Sequence, residues 1–367
     1  MPRHIKAAVF TAESGQNCEI KEVLLADPDP NELVIQVKAC GICHTDIGVS
    51  TYKERPSVLG HESAGIVVEV GSAVTEFAVG DRVLATFGSC GTCATCQDEN
   101  PAYCIDHAEM NFDGLRPNGK GGITALDGTP IFSAFFQQSG FATHALVQTE
   151  NTVKIPDDIS FVNAAPLGCG IQTGAGSVLT SLAAKAGESL VVFGVGAVGL
   201  AAVMAARNLR CNPIIAVDLS EDRLKLAKTY GAHYTLKGDA DKLTETIKDL
   251  TGGGAHYSLE GTGVNAVFHI AVNCLRPGGT CGTWAYPGTF GEPIEHPGGF
   301  AFMNTRQMGI LEGDSNPKVF IPELAHMQIA GKLPYDELIT TFAFKDINAA
   351  LKACDSQSVI KPVLVFD

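Results

Sequence analysis

The chain has 367 residues, 45% of them hydrophobic and 18% charged, and a formal net charge of −14. Such a length exceeds one typical domain of about 100–200 residues and points to two, while the negative balance argues against nucleic acid and anionic membrane as partners. No secretory leader is read in the sequence, so the 12 cysteines are expected as metal ligands or buried thiols of a cytoplasmic protein, not as disulfides.

The first half reads as β-rich. Leu33, Ile35, Val37 and Ala39 alternate mostly with polar neighbours, the pattern of a half-buried strand. Short apolar runs follow at Ile66–Val70 and Arg82–Ala85, bounded by Gly or Asp. Between Ala39 and Ile66 stand two pieces with ligand chemistry, Cys43-His44-Thr45-Asp46 and Gly60-His61-Glu62, and a third comes at Gly168-Cys169-Gly170. Two thiolates and one imidazole leave a zinc position open, as in a catalytic alcohol-oxidising site. Spacing alone does not join these three segments in space. Cys40 and Cys43 also form a C-x-x-C pair, without a thioredoxin-like context.

Cys90, Cys93, Cys96 and Cys104 form C-x2-C-x2-C-x7-C. Four thiolates close a tetrahedral shell around zinc and leave no room for substrate, so the role read here is structural. An iron–sulfur cluster is the rival for C-x2-C-x2-C, but no proline follows the fourth cysteine. From Cys90 to Gly140 the chain is dense in Gly, Asn, Asp and Pro, which predicts long loops.

From about Ile171 helical and short apolar stretches alternate. Strands are predicted at Leu190–Phe193, Pro213–Val217, Tyr257–Glu260 and Thr280–Thr283. Helices are predicted at Gly174–Lys185, Val198–Leu209, Glu221–Tyr230, Asp241–Leu250 and Val264–Leu275. Repeated βα units imply a doubly wound parallel sheet, the Rossmann arrangement. Ser189 to Ala206 is uncharged and nearly long enough to span a membrane, but its glycines favour strand, turn and helix. Gly194-Val195-Gly196-Ala197-Val198-Gly199 follows the apolar strand and opens a helix, with Asp218 roughly 20 residues on. The glycines suit a pyrophosphate, and the carboxylate suits two ribose hydroxyls and repels a 2′-phosphate, which favours NAD over NADP. After about Ile310 helices are predicted at Val319–Ala330 and Ile347–Ala353, and a strand at Val359–Phe366.

Taken together, GICHTD, GHE, the four-cysteine lobe, GCG, GVGAVG and the VD at Asp218 resemble the zinc-dependent medium-chain alcohol dehydrogenases, from about Lys6 to Phe366. The CHTD form and Gly313-Asp314-Ser315-Asn316-Pro317 look most like the aryl-alcohol (benzyl alcohol) dehydrogenases. The resemblance implies an α/β fold, with a GroES-like β-rich catalytic domain at 1–171 and 311–367 carrying the zinc lobe (about 88–106). A Rossmann NAD-binding domain would span 172–310. It implies two zinc ions per chain, the catalytic one on Cys43, His61 and Cys169, with Glu62 behind it or as a transient ligand and Asp46 orienting His61. Thr45 would hydrogen-bond the alcohol oxygen and Thr173 would lie by the nicotinamide. His44 and Lys361 would stand near the pyrophosphate, and Phe87, Phe135 and Phe136 would line the substrate pocket.

One departure concerns Gly48, which stands where many members carry the histidine that ends the proton relay. The expected activity is hydride transfer between a primary, aromatic or allylic alcohol and NAD, in a homodimer or homotetramer. A polyol or secondary-alcohol dehydrogenase is the alternative on the same fold, although such enzymes often replace the third zinc ligand by a carboxylate. A zinc-free quinone reductase relative and a non-catalytic dinucleotide-binding structural protein are further readings. The intact ligand set argues against both.

Overall fold

A computed structural model describes residues 2–11, 17–51, 56–239, 241–288, 293–294 and 300–367. Nine strands come first: β1 (Arg3–Phe10), β2 (Cys18–Leu25), β3 (Glu32–Gly41), β4 (Glu62–Val70), β5 (Arg82–Ala85), β6 (Ile123–Thr124), β7 (Pro130–Ile131), β8 (His144–Gln148) and β9 (Thr152–Lys154). Six follow in the second half: β10 (Leu190–Phe193), β11 (Ile214–Asp218), β12 (Tyr234–Lys237), β13 (Ala255–Glu260), β14 (Leu275–Thr283) and β15 (Arg306–Gly309). Two close the chain, β16 (Ile339–Ala343) and β17 (Lys361–Val365).

Two compact units result. One comprises Met1–Cys169, Asn316–Ala330 and Asp336–Asp367; the other comprises Gly170–Ser315 and Gly331–Tyr335. The first is β-rich. It holds a sheet ordered β1-β2-β6-β7 and a seven-stranded sheet in which β16-β17-β3-β4-β5-β9 run in order and β8 also pairs with β3. Strand β3 is its centre. The alternating pattern predicts one wet face, but Leu33, Ile35 and Val37 enter one apolar core while Val34 enters a second. The strand is therefore buried on both sides, and its few polar positions do not mark a solvent face.

The second unit is a six-stranded parallel sheet in the order β12-β11-β10-β13-β14-β15. Strand order reverses between β10 and β13, the switch point where open α/β sheets bind ligands. The stretch Ser189–Ala206 resolves into β10, a tight turn and the start of the helix Ala197–Asn208. Among the described residues no helix is long and apolar enough to cross a membrane. The helix predicted at Gly174–Lys185 begins earlier, as Gly170–Gly176, and then widens into a π turn at Ser177–Ser181. The predicted helix ending at Leu275 stops at Asn273 instead, because Leu275 opens β14.

Candidate active site and metal centres

Strand β3 delivers the chain to Cys43, which precedes the helix His44–Ser50. One oxygen of Asp46 reaches back to accept from the Cys43 N–H at 2.9 Å, a reciprocal cap that fixes the turn. The other accepts from the Gly60 N–H at 3.0 Å and lies 2.9 Å from Nδ1 of His61. Asp46 and His61 are both 0% exposed. A carboxylate at Nδ1 keeps the proton there and leaves Nε2 its lone pair. That Nε2 is buried without a hydrogen-bond partner. Around it, one donor atom from each of Cys43, His61, Glu62 and Cys169 lies within 4.8 Å of the others.

The electrostatics describe a site made for a cation. Hydrogen bonding with Cys169 holds the Cys43 thiol well below its usual range against burial, helped by His61 and Lys361. Burial pulls His61 down, but Asp46 and Cys43 outweigh it and the imidazole ends well above its ordinary value. A Cys43 thiol held low favours thiolate, the form a metal takes. Two sulfurs, an aromatic nitrogen and a nearby carboxylate are a donor set that fits zinc. Behind it, Lys361 Nζ lies 2.6 Å and 2.5 Å from the two Glu62 oxygens and donates to the Ile42 carbonyl at 3.3 Å. Burial opposes the Lys361 charge but Glu62 outweighs it; Glu62 is raised by burial, with Lys361 opposing.

The walls of the site come from a strained turn. Ala134, Phe136, Gln137 and Ser139 all have left-handed φ values, between 51° and 60°, each costing about 1–3 kcal/mol in general. The turn lays Phe136 in a stack on the His61 ring at 4.5 Å and sets Phe135 edge-on at 5.5 Å. Gln138 ties it down: its Nε2 donates to the carbonyls of His61 (2.8 Å) and Thr86 (3.0 Å), and its Oε1 accepts from Ser63 N–H (3.1 Å). The Thr86 hydroxyl in turn donates to the Gly168 carbonyl at 2.6 Å, steadying the turn that presents Cys169. Nothing in the sequence singled out Gln138, since a glutamine in a loop carries no spacing signal.

The remaining predicted residues are placed as follows. Thr45 is half-buried with its hydroxyl 3.6 Å from Cys43 Sγ, and His44 is exposed at the start of the same helix. Phe87 is buried and lies against His107, ring centroids 6.0 Å apart, within the same apolar core as Phe135 and Phe136. Lys361, expected near a pyrophosphate, is 3% exposed and engaged with Glu62.

Cys90, Cys93, Cys96 and Cys104 also converge within 4.8 Å. Backbone N–H groups of Cys90 and Cys93 point at the sulfurs of Cys104 (3.2 Å) and Cys90 (3.4 Å). The Thr95 hydroxyl and the N–H groups of Ile105 and Cys96 bring the Cys93 thiol down to about 5, whereas burial and Cys93 push Cys96 up to about 12. Donors aimed at sulfur stabilise thiolate, the form a metal takes.

In the second unit Gly194 follows β10 with φ +84° and Gly196 caps the helix Ala197–Asn208. A Cβ on Gly199 would be driven into the Gly194 carbonyl, so only glycine lets the helix start this close to the strand. Asp218, ending β11, accepts from the N–H groups of Val195 and Ser220, both at 2.8 Å. The carboxylate thus braces the glycine turn. Ala197 and Val198 form the first helical turn, and Val195 is buried beneath. Thr173 lies in the helix Gly170–Gly176, its hydroxyl donating to Glu312 Oε2 at 3.4 Å.

Comparison with known proteins agrees with this geometry. Residues 29–157 match the family model of the alcohol dehydrogenase GroES-like domain, and residues 197–326 match that of zinc-binding dehydrogenases. A geraniol dehydrogenase from Castellaniella defragrans is 38% identical over 367 residues, covering 98% of this chain and 97% of its own. The structure of an alcohol dehydrogenase zinc-binding domain protein from Burkholderia ambifaria superposes with a TM-score of 0.96 at 38% identity. That of benzyl alcohol dehydrogenase from Acinetobacter calcoaceticus does so at 0.94 and 36%; each covers 100% of both chains. The chain belongs to the zinc-dependent medium-chain alcohol dehydrogenase family and is an alcohol dehydrogenase.

Proposed function

We propose that this enzyme exchanges hydride between primary allylic or aromatic alcohols and NAD. The observation that carries the reading is the convergence of Cys43, His61, Glu62 and Cys169 with His61 Nε2 unpartnered. Cys43, His61 and Cys169 hold the catalytic zinc, and Cys90, Cys93, Cys96 and Cys104 hold a structural one. Zinc supplies Lewis acidity toward an alcohol oxygen, and NAD supplies the hydride acceptor.

The chain's own groups supply the rest. Asp46 fixes the His61 tautomer, and Phe136 keeps water from one face of the ring. Lys361 holds the Glu62 carboxylate. Thr45 receives the alcohol proton through its hydroxyl. With Gly48 in the relay position, the proton leaves through His44, a cofactor ribose hydroxyl or water. Residues Gly194 to Gly199 cradle the pyrophosphate, Asp218 takes the adenosine ribose, and Thr173 borders the nicotinamide. Phe87, Phe135 and Phe136 favour flat, apolar substrates. The names of the relatives, a geraniol and a benzyl alcohol dehydrogenase, support that substrate class.

Residues 1–171 and 311–367 are assigned to the catalytic domain and 172–310 to the cofactor domain. A homodimer or homotetramer in the cytoplasm is the proposed state, where cysteines stay reduced for metal. The test is a panel of benzylic, allylic, short aliphatic and polyol substrates with NAD and NADP. Benzylic and allylic alcohols with NAD are expected to exceed ethanol in kcat/KM by roughly tenfold or more, since added apolar contact is worth that much. A polyol as best substrate would replace this reading by the alternative.

A further inference from the structure

Neighbouring strands of the parallel sheet stop together. Val217, Phe193, Glu260, Thr283 and Gly309 pair in one rung across β11, β10, β13, β14 and β15. One residue further on, Asp218, Gly194, Gly261 and Trp284 therefore follow one another along the carboxyl edge, where open α/β sheets bind ligands. A dinucleotide crosses this edge with its pyrophosphate over the Gly194 turn. With Asp218 taking the adenosine ribose, the nicotinamide half runs the other way, over Gly261 toward Trp284. On that side Trp284 stands two strands, about 10 Å, from Gly194.

Trp284 is the only tryptophan of the chain, and it is half-buried. A Cβ on Gly261 would lie 2.5 Å from its Nε1 and 2.6 Å from its Cε2 and Cζ2. The indole is therefore seated on bare backbone, a close approach that only glycine permits. Gly261 itself adjoins the glycine turn, since a Cβ on Gly194 would stand 3.5 Å from its carbonyl carbon. The loops beneath the indole are fixed. The buried Glu260 carboxylate accepts from the N–H groups of Thr262 at 2.6 Å and Gly263 at 3.3 Å. The Thr283 hydroxyl donates to the Ala285 carbonyl at 2.6 Å, and the Trp284 N–H donates to the Glu260 carbonyl at 3.3 Å. A large aromatic ring is thus held still at a ligand-binding edge with part of its surface open.

We infer that Trp284 is the surface on which the nicotinamide half of the dinucleotide rests. Nicotinamide is a flat ring, and in the oxidised cofactor it carries a positive charge. Among side chains the face of an indole attracts such a ring best. Contact between the two also takes apolar surface of both out of water. Gly261 leaves the space that lets the indole lie across the edge. The assignment rests on the NAD reading above.

The test uses the full-length zinc-loaded enzyme and two ligands, NAD and ADP, the second of which lacks the nicotinamide half. Because the chain has one tryptophan, its emission reports Trp284 alone. NAD does not absorb where tryptophan emits, so quenching by NAD reports contact and not energy transfer across a distance. Saturating NAD is expected to quench the emission, and saturating ADP to leave it nearly unchanged. In calorimetry Trp284→Ala is expected to weaken NAD binding roughly tenfold, the usual worth of one aromatic stack, and to move ADP by less than about twofold. Trp284→Phe, which keeps an aromatic face, is expected to hold NAD within about threefold of wild type. Wild-type emission that bound NAD leaves unchanged overturns the inference. So does a Trp284→Ala variant whose ratio of NAD to ADP affinity is that of wild type, including one that loses both ligands equally. Wild-type enzyme that does not bind NAD refutes the NAD reading itself.

Discussion

Asp46 Oδ1 stands 2.9 Å from His61 Nδ1, and neither side chain is exposed. The same carboxylate holds the N–H groups of Cys43 and Gly60. One buried acid therefore aligns two donor segments, the Cys43 turn and the His61 strand entry, and selects the tautomer of the second. Asp46→Asn keeps the shape but loses the charge and permits the wrong tautomer. Zinc affinity at the catalytic site is expected to fall 10–100-fold, the usual loss for a ligand-orienting partner. Chelator competition followed by metal analysis measures it, with the four-cysteine site as internal reference.

The four-cysteine lobe should behave as a separate metal site. Cys93→Ser is expected to halve the zinc content and to destabilise the first unit by several kcal/mol, because metal binding there is coupled to folding of the loop. The paired readout is zinc per chain and thermal unfolding. A variant with full zinc and unchanged melting would remove the lobe's structural role.

The Glu62–Lys361 pair is buried on both sides, at 0% and 3% exposure. Lys361→Met removes the ammonium partner of a buried carboxylate and is expected to cost about 3–5 kcal/mol in denaturant unfolding. Replacing both partners by apolar residues of similar size should recover much of that loss, since burying the pair itself costs free energy. Recovery in the double variant separates a lost ion pair from poor packing.

Acid should weaken the fold through half-buried histidines. Burial lowers the pKa of His107, and burial, Arg3 and Lys38 lower that of His144. A depressed folded value means that the unfolded chain takes the proton more readily. The stabilising contribution is therefore complete above the unfolded pKa of about 6.5 and is lost as pH falls through the folded value. His107→Gln should show a shallower decline of melting temperature across that window than wild type.

Asp218 braces the glycine turn and, in the function proposed above, takes the adenosine ribose. Asp218→Asn is expected to raise the Kd for NAD by roughly tenfold, the worth of about one charge-assisted hydrogen bond. Its preference against NADP should shrink as well, because the repelling charge is gone. Titration of both cofactors against one protein sample decides it.

What the sequence made legible follows sequence distance. Cys90, Cys93, Cys96 and Cys104 are local, so spacing alone indicates a shared site, and the structure joins their sulfurs. The strand, turn and helix around Gly194–Gly199 are equally local. Cys43, His61 and Cys169 meet only because the β-rich unit folds, and family resemblance alone linked them in advance. Strands β1, β2, β12, β15 and β16 escaped notice because their exposed or mixed faces break the apolar pattern, as the largely exposed Cys18–Leu25 shows. The Lys361–Glu62 ion pair was missed for the opposite reason. The family resemblance places Lys361 near the pyrophosphate, and its contact with Glu62 joins residues far apart in the chain, visible only in three dimensions.

The two metal centres differ in how much chain each must gather. The lobe draws its four sulfurs from residues 90–104, a short loop with a small closure entropy, so it can capture its ion while later segments are still being synthesised. The other centre cannot exist until residue 169 has left the ribosome and β3 and β4 have paired. The ligands of the lobe are therefore complete before those of the other centre can meet. Scarce zinc would yield folded but idle molecules rather than unfolded ones.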